Sequence, residues 1–448
     1  MMDIGRTAQV AAALSRHGRA KRSAVEAWQA DRLRRVIAHA YARVPHYRAL
    51  FDRYGVRPEQ IRGVADLARI PITNKPDLAR AAPAEVVARG YSPDRLIPQI
   101  TSGTSGQRIT LYRTWLEIRL QHLFRLRALR SVGVRARDVT ASIGLTHEVH
   151  GRDHKTIGRT LRALGRYRRV RLDVFTPPEV LAEQLRACAP DVVSGYPGTI
   201  ARAAAHLLDN GGRAVRPRLV LVGAEVLTPA MRHSIESAFA APAFDMYGSH
   251  EFGLLGWQCA ATGAKHIPDD SIVLEVLKDG RPAEEGETGE VVVTALHRYA
   301  MPLIRYRLGD LATRGPAVCT CGAPWSTIGE IQGRTMDFFT LPGGRVLHPY
   351  ELFVAMLYHD GLPVRQYEFV QERGDRVVIR LVLAPGWDGC ALRAAEDRTR
   401  AVLGPDVELG VEVVDQIAPG PNGKFRAIRR EAADGAAPGV AMSAPERA

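Results

Sequence analysis

Between residues 139 and 239 the chain alternates short apolar runs with amphipathic stretches, and this alternation constrains the fold more than any other feature. Runs at 139–145, 170–174, 192–194 and 219–222 read as strands. Stretches at 156–164, 178–188, 199–209 and 228–239 read as helices. Strands separated by whole helices cannot be joined as tight hairpins; each helix returns the chain across the sheet, so successive strands run parallel. The expectation is an α/β body with substantial parallel pairing.

Upstream, residues 8–53 read as helices, with Val10 and Leu14, then Leu33, Val36, Ile37 and Ala40 at three and four spacing and a break at Pro45. Ile70-Pro71-Ile72 and Leu96-Ile97 are strand-like, and 116–130 is a helix rich in Leu and Arg. From 272 to 313 the texture changes to strand, Asp279-Gly280 turn and strand, which favours hairpins. Further on, strand patterns at 376–383 and 408–414, a helix near 391–403 and a Gly/Pro/Asn stretch at 418–423 suggest a small α+β domain. The expected organisation is a large N-terminal domain of layered sheets and helices over 1–334, a small mobile α+β C-terminal domain over 335–430, and a disordered Ala/Gly/Pro-rich tail at 431–448. No internal repeat is visible.

Composition excludes several classes. With 448 residues, 46% hydrophobic and 24% charged, the chain is neither collagen-like nor a minimal disulfide scaffold. No charge-free run approaches the ~18 apolar residues of a membrane span. The net charge of +13 comes from 55 Arg and only 6 Lys against 48 acidic residues. A solvated, Arg-rich surface explains it, and an anionic small substrate is the alternative; no nucleic-acid module accompanies it. The start Met1-Met2-Asp3 lacks a secretory pattern and the five cysteines are an odd number, so reducing cytoplasm is expected.

Thr101-Ser102-Gly103-Thr104-Ser105-Gly106 sets four hydroxyls and two glycines in six residues, a loop suited to wrapping polyphosphate. It lacks the G-K-[ST] ending of a Walker loop, and alone it would pass for an ordinary Ser/Gly surface loop. Four motifs follow in order: Tyr247-Gly248-Ser249-His250-Glu251, Arg305-Tyr306-Arg307-Leu308-Gly309-Asp310, Gly333-Arg334 and Gly423-Lys424. As an ordered set these resemble the motifs of the adenylate-forming (acyl-CoA ligase) superfamily, most closely its phenylacetate-CoA ligase branch. Supporting segments are His39-Ala40-Tyr41-Ala42-Arg43-Val44-Pro45-His46-Tyr47, Ile70-Pro71-Ile72-Thr73-Asn74-Lys75, Ser194-Gly195-Tyr196-Pro197, Gly223-Ala224-Glu225 and Met301-Pro302-Leu303-Ile304-Arg305-Tyr306. The likeness runs from about residue 30 to 430.

The resemblance implies ATP-dependent adenylation of a carboxylic acid, and the residue chemistry agrees. Joining a carboxylate to the α-phosphate of ATP and expelling pyrophosphate requires charge on the phosphates to be held by donors and Mg²⁺. The 101–106 loop suits the β and γ phosphates, Glu251 is a hard oxygen ligand for Mg²⁺, and Asp310 would accept the ribose hydroxyls. Arg334 would donate to ribose or phosphates, and Lys424 on its Pro/Gly loop would bring a mobile positive charge to the reacting phosphate. Tyr247, Gly248, Ser249, Gly223, Ala224 and Glu225 complete the expected ATP site. Two departures stand out. Gln107-Arg108 replaces the usual Lys-Pro after the loop, and Met336 replaces an acidic residue at the hinge motif Gly333-Arg334-Thr335-Met336-Asp337, about which the C-terminal domain is implied to swing.

Cys259, His266, Cys319 and Cys321 form a C-x6-H and C-x-C-G set suited to structural Zn²⁺, with reduced thiols beside an unrelated histidine as the alternative. Cys188 and Cys390 have apolar neighbours and are expected to be plain core residues. His147, Glu148, His150 and His154 are a polar cluster open to three readings: solvated loop, metal ligands, or, with Tyr196 and His250, part of an acyl pocket for an aromatic acid with polar substituents. The leading expectation is acyl-AMP formation and transfer to CoA. Alternatives are transfer to an amine, ATP activation of nitrite to diazotise an arylamine in secondary metabolism, or a nucleotide-binding regulator without turnover. Partners are then small molecules, without nucleic acid or membrane, and a homodimer is compatible with the chain.

Overall fold

The computed structural model describes residues 16–100, 109–144, 165–210, 215–225, 227, 229–332, 339–347, 349–357, 362, 364–383, 387, 389–415, 417 and 428–430. They fall into two compact units, residues 16–100 with 110–332, and residues 339–430.

The first unit opens with helices α1 (Arg22–Arg43) and α2 (Pro45–Arg53). Val44 between them is extended (φ −109°, ψ 111°), the conformation that a following proline favours. Leu33, Val36, Ile37, Ala40, Tyr47 and Phe51 bury one stripe of this pair against Val273, Leu296 and Ile304. Short helices α3 (Lys75–Arg80) and α4 (Pro83–Val86) lead to a hairpin of β1 (Ile97–Ile100) and β2 (Thr110–Arg113), paired from Ile97↔Arg113 to Ile100↔Thr110. Helix α5 (Trp115–Ser131) starts in a reciprocal capping box: the Thr114 hydroxyl accepts from Glu117 N–H at 3.2 Å, and the Glu117 carboxylate accepts from Thr114 N–H at 2.7 Å.

Then the alternation appears as β3 (Val139–Gly144), β4 (Arg168–Asp173), α6 (Pro178–Cys188), β5 (Val192–Gly195), α7 (Pro197–Asp209), β6 (Leu219–Gly223), α8 (Pro229–Phe239) and β7 (Ala243–Ser249). Strands β4-β3-β5-β6-β7 pair in parallel. Strand β6 shows why its sequence is apolar throughout. Val220 and Val222 join the core made with α6, α7 and α8, whereas Leu219 and Leu221 join Val25 of α1 and Ala128 and Val132 at α5. Each such side chain contributes about 1.5–3 kcal/mol by burial.

The remaining strands are antiparallel: β8 (Gly253–Gln258), β9 (Lys265–His266), β10 (Ile272–Lys278), β11 (Arg281–Pro282), β12 (Thr288–Ala295), β13 (Tyr306–Arg314) and β14 (Thr327–Gln332). Both halves join in one hydrogen-bonded run of twelve strands, ordered β11-β10-β12-β13-β14-β9-β8-β7-β6-β5-β3-β4. The direction of pairing changes at β7/β8.

In the second unit β15 (Phe339–Thr340) pairs with β16 (Val346–Leu347), and helices α9 (Pro349–Leu357) and α10 (Gly389–Leu403) accompany a sheet of β17 (Val364–Arg373), β18 (Arg376–Leu383), β19 (Glu408–Val413) and β20 (Ile428–Arg430) in the order β19-β18-β17-β20. No described helix is long and apolar enough to cross a membrane.

Two expectations are corrected. Ile70–Ile72 is not a strand: Pro71 offers no N–H, and the backbone pairs with β13 at an isolated bridge, Thr73↔Tyr306. Cys390 is exposed in the first turn of α10, where Arg393 donates to its Sγ at 3.2 Å. Cys188 is half-buried and packs against the core. Residues 8–15, the helix expected at 156–164, the 418–423 stretch and the tail at 431–448 lie outside the described residues.

Candidate active site

In an open α/β sheet the carboxyl ends of parallel strands leave a crevice that side chains and loops can furnish. Here β5 ends at Gly195-Tyr196, β6 at Gly223-Ala224-Glu225 and β7 at Tyr247-Gly248-Ser249, so three of the sequence motifs share one edge of the sheet. Glycine at Gly223 is a packing requirement, because a Cβ there would lie 2.5 Å from the Met246 carbonyl oxygen. Ala224 then takes a left-handed turn (φ 70°), and the Glu225 carboxylate accepts from the Gly198 N–H at 3.1 Å, satisfying an otherwise orphaned donor at the start of α7. Tyr196, half-buried, packs on the core beneath.

The seam between the parallel and antiparallel halves carries the densest chemistry. Strands β7 and β8 slip register at Tyr247/Gly248, and their last pair is Ser249↔Gly253. The turn 250–252 therefore has no ladder partner; Ser249 Oγ accepts from Phe252 N–H at 3.2 Å to close it. Tyr247 donates its hydroxyl to Asp310 Oδ2 at 2.8 Å, joining β7 to β13. Glu251 is buried, 8% exposed, with Lys75 Nζ at 3.8 Å and the Tyr306 hydroxyl at 3.4 Å from its Oε1. His250 is exposed, and Gln99 of β1 donates to its Nδ1 at 3.5 Å. Glu251 itself offers a carboxylate, the hard oxygen donor a divalent cation takes, and the Lys75 ammonium is the cation it faces in this structure.

Two arginines that motif reading overlooked hold this turn. Arg113 donates to the carbonyls of His250 and, at 3.1 Å, Glu251; Arg298 donates to the Glu251 carbonyl as well. Burial lowers Arg113 to about 9, and neighbouring Arg298 adds to the shift; burial lowers Arg298 too. Lys75 was visible within its motif and is one of six lysines, but its approach to Glu251 spans 176 positions and no local pattern encodes it.

The second cluster gathers Cys259, His266, Cys319 and Cys321, whose ligand atoms all lie within 4.8 Å of one another. Cys259 Sγ is 3.8 Å from Cys319 Sγ, and Cys321 Sγ is 3.4 Å from His266 Nε2. A tetrahedron with Zn–S of about 2.3 Å and Zn–N of about 2.0–2.1 Å has edges of roughly 3.8 and 3.6 Å, so the donor set fits zinc. The tight C-x-C spacing is accommodated by a turn in which Gly322 N–H donates to Cys319 O at 3.1 Å. Burial opposes the Cys259 thiolate, yet the Thr262 hydroxyl, the Ala261 and Thr262 N–H groups and Cys321 outweigh it and bring the thiol to about 7, whereas burial with Cys319 and Cys259 pushes the Cys321 thiol up to about 11. Burial also keeps His266 neutral by lowering its pKa, as ligation needs.

Thr101, Ser102, Gly103, Thr104, Ser105, Gly106, Gln107, Arg108, His147, Glu148, His150, His154, Arg334, Met336 and Lys424 lie outside the described residues.

No protein-family model matches the chain. Among curated proteins it is 30% identical over 354 residues to the phenylacetate-coenzyme A ligase of Thermus thermophilus, covering 75% of this chain and 76% of that one. The phenylacetate-coenzyme A ligase of Escherichia coli is 30% identical over 372 residues, covering 78% and 80%. Among solved structures, a 2-hydroxyisobutyryl-CoA ligase has the same fold, with TM-score 0.58 at 21% identity over 91% of this chain and 90% of that one.

Proposed function

The chain belongs to the phenylacetate-CoA ligase family, and on that premise we propose that it activates an aromatic carboxylic acid with ATP and passes the acyl group to CoA. It is an ATP-dependent, AMP-forming CoA ligase. The observation that carries the reading at residue level is the seam where Tyr247 holds Asp310 and Glu251 lies buried on the turn that follows β7. The curated relatives are named for CoA, which favours a thioester over the amine and nitrite acceptors.

In the first half-reaction a carboxylate oxygen attacks the α-phosphorus of ATP, and pyrophosphate leaves with the bonding pair. In the second, the CoA thiol attacks the acyl carbon, loses its proton and expels AMP. Asp310, oriented by Tyr247, is assigned to the ribose hydroxyls, which donate to its carboxylate. Glu251 is assigned to Mg²⁺, which when bound would offset negative charge on the phosphate oxygens. Thr101 to Gly106 and Arg334 are assigned to the phosphates and ribose, and Lys424 to the cation that accompanies the reacting phosphate. Gly223, Ala224, Glu225, Gly248 and Ser249 shape the adenosine side, and Tyr196 with His147, Glu148, His150 and His250 the acid side. Cys259, His266, Cys319 and Cys321 are assigned to a structural zinc that would pin the turn before β14 to β8 and β9.

The test is ATP–pyrophosphate exchange with a panel of aryl acids. Acid-dependent exchange supports the reading. Absence of exchange with every acid, together with AMP formed from nitrite and an arylamine, would overturn it.

A further inference from the structure

The turn carrying Glu251 has unusual supports. Its carbonyls at 250 and 251 lie beyond the last β7/β8 pair, so the sheet offers them no donor. Arg113 and Arg298 supply the donors instead, and these side chains are 5% and 4% exposed as whole residues. Buried guanidiniums side by side oppose one another, and each is expensive to remove from water. Among the described residues, Arg113 Nε and Arg298 Nε and Nη2 have no hydrogen-bond partner, so the cost is not offset at those atoms. The Glu117 and Glu251 carboxylates offset part of both charges, so the pair is tied to the Glu251 carboxylate as well as to the backbone of its turn.

Chain origin shows which elements the pair joins. Arg113 ends β2, the strand that follows residues 101–108, and its Nη1 is fixed by donating to Gln121 Oε1 at 2.9 Å. Arg298 follows β12 and precedes the segment that delivers Tyr306 and Asp310. The two arginines therefore tie the Glu251 turn to the hairpin flanking the hydroxyl/glycine segment and to the connection that leads from β12 into the strand bearing Asp310.

We propose that Arg113 and Arg298 are positioning residues: a two-guanidinium clamp on the His250–Glu251 backbone that holds the Glu251 carboxylate where a divalent cation on ATP needs it. The inference rests on the assignment of Glu251 to that cation. Outer partners of metal ligands typically tune metal affinity by roughly 10- to 100-fold.

The experiment measures Mn²⁺ binding by electron paramagnetic resonance in the presence of a non-hydrolysable ATP analogue, alongside the Mg²⁺ concentration for half-maximal ATP–pyrophosphate exchange. Arg298→Met and Arg113→Met, checked for native circular dichroism, should each weaken Mn²⁺ binding about tenfold or more and raise the Mg²⁺ requirement in parallel. Arg298→Lys should recover most of the loss, since Arg298 makes one bond to the turn; Arg113→Lys should recover less, since Arg113 spans two carbonyls and Gln121. Gln121→Ala, which loosens Arg113 from outside the turn, should shift Mn²⁺ affinity about threefold in the same direction and carries the test if a methionine variant does not fold. Glu251→Gln is the reference. If it binds Mn²⁺ like the wild type, the assignment of Glu251 itself fails. If it weakens binding while the folded arginine and Gln121 variants do not, only the clamp fails.

Discussion

Replacing Tyr247 by Phe tests the Tyr247–Asp310 pair with little disturbance to packing, because the ring is buried and only the hydroxyl is lost. That hydroxyl donates to Asp310 Oδ2 at 2.8 Å. A hydrogen bond to a charged group contributes about 1.5–3 kcal/mol, which corresponds to roughly 10- to 150-fold in an equilibrium constant. Part of it is recovered when water or the ligand itself takes the vacated lone pair, so the lower end of that range applies. Y247F is expected to raise the KM for ATP about tenfold, with the KM for acid and the thermal midpoint nearly unchanged. Asp310→Ala removes the acceptor assigned to both ribose hydroxyls and should cost at least as much. In the double variant the Y247F effect should disappear, since a hydroxyl that acts only through Asp310 has nothing left to orient. The assay is initial-rate ATP–pyrophosphate exchange at varied ATP for the four proteins. Additive losses, or an effect of Y247F on the acid alone, would refute the role given to the pair.

Further predictions address the framework and the metal. Asp270, fully buried, receives Arg127 and the His17 Nδ1 at 3.0 Å, and its carbonyl accepts from Trp28 and His297. Asp270→Asn should therefore destabilise the first unit by about 3–5 kcal/mol, lowering Tm by roughly 5–8 °C; a scan showing less than about 1 °C would contradict it. Burial opposes the Asp270 charge, but Arg127 and His17 outweigh it and hold its pKa below the ordinary value. Its stabilisation is present above about pH 4 and is lost as pH falls through the lowered native pKa, so acid unfolding below pH ~4 should be shallower in the Asn variant. Elemental analysis should find about one zinc per chain, and Cys321→Ser should lose most of it; less than about half an equivalent in the wild type would remove the site. Lys424→Ala should abolish exchange while calorimetric ATP binding persists, and undiminished exchange would show that another group supplies the cation.

The sequence was legible where physics is local. A run such as 219–222 is apolar at every position because both faces of β6 are covered, and the helices read at 178–188 and 228–239 from spacing are found at Pro178–Cys188 and Pro229–Phe239. The Asp279-Gly280 turn likewise announced the β10/β11 hairpin. Ile70–Ile72 misled because an apolar triplet with two β-branched residues looks like a strand until Pro71 is asked for its missing donor. The union of the parallel and antiparallel halves across β7/β8 was not legible, since nothing local says that two textures share a sheet. At the site, Glu251 and Asp310 could be chosen from their motifs, but not the distance from Tyr247 to Asp310, 63 positions away. Arg113 and Arg298 were hidden among 55 arginines; only burial and a turn without ladder partners distinguish them.

The central claim is that the chain makes an acyl-CoA through an acyl-adenylate. Its most direct test is a single reaction containing purified protein, ATP, Mg²⁺, CoA and an aryl acid such as phenylacetate, followed by mass spectrometry of the products. The account predicts acyl-CoA and AMP in equal amounts, with neither formed at comparable rate when acid is omitted. AMP without thioester across the acid panel, or ADP in place of AMP, would contradict it.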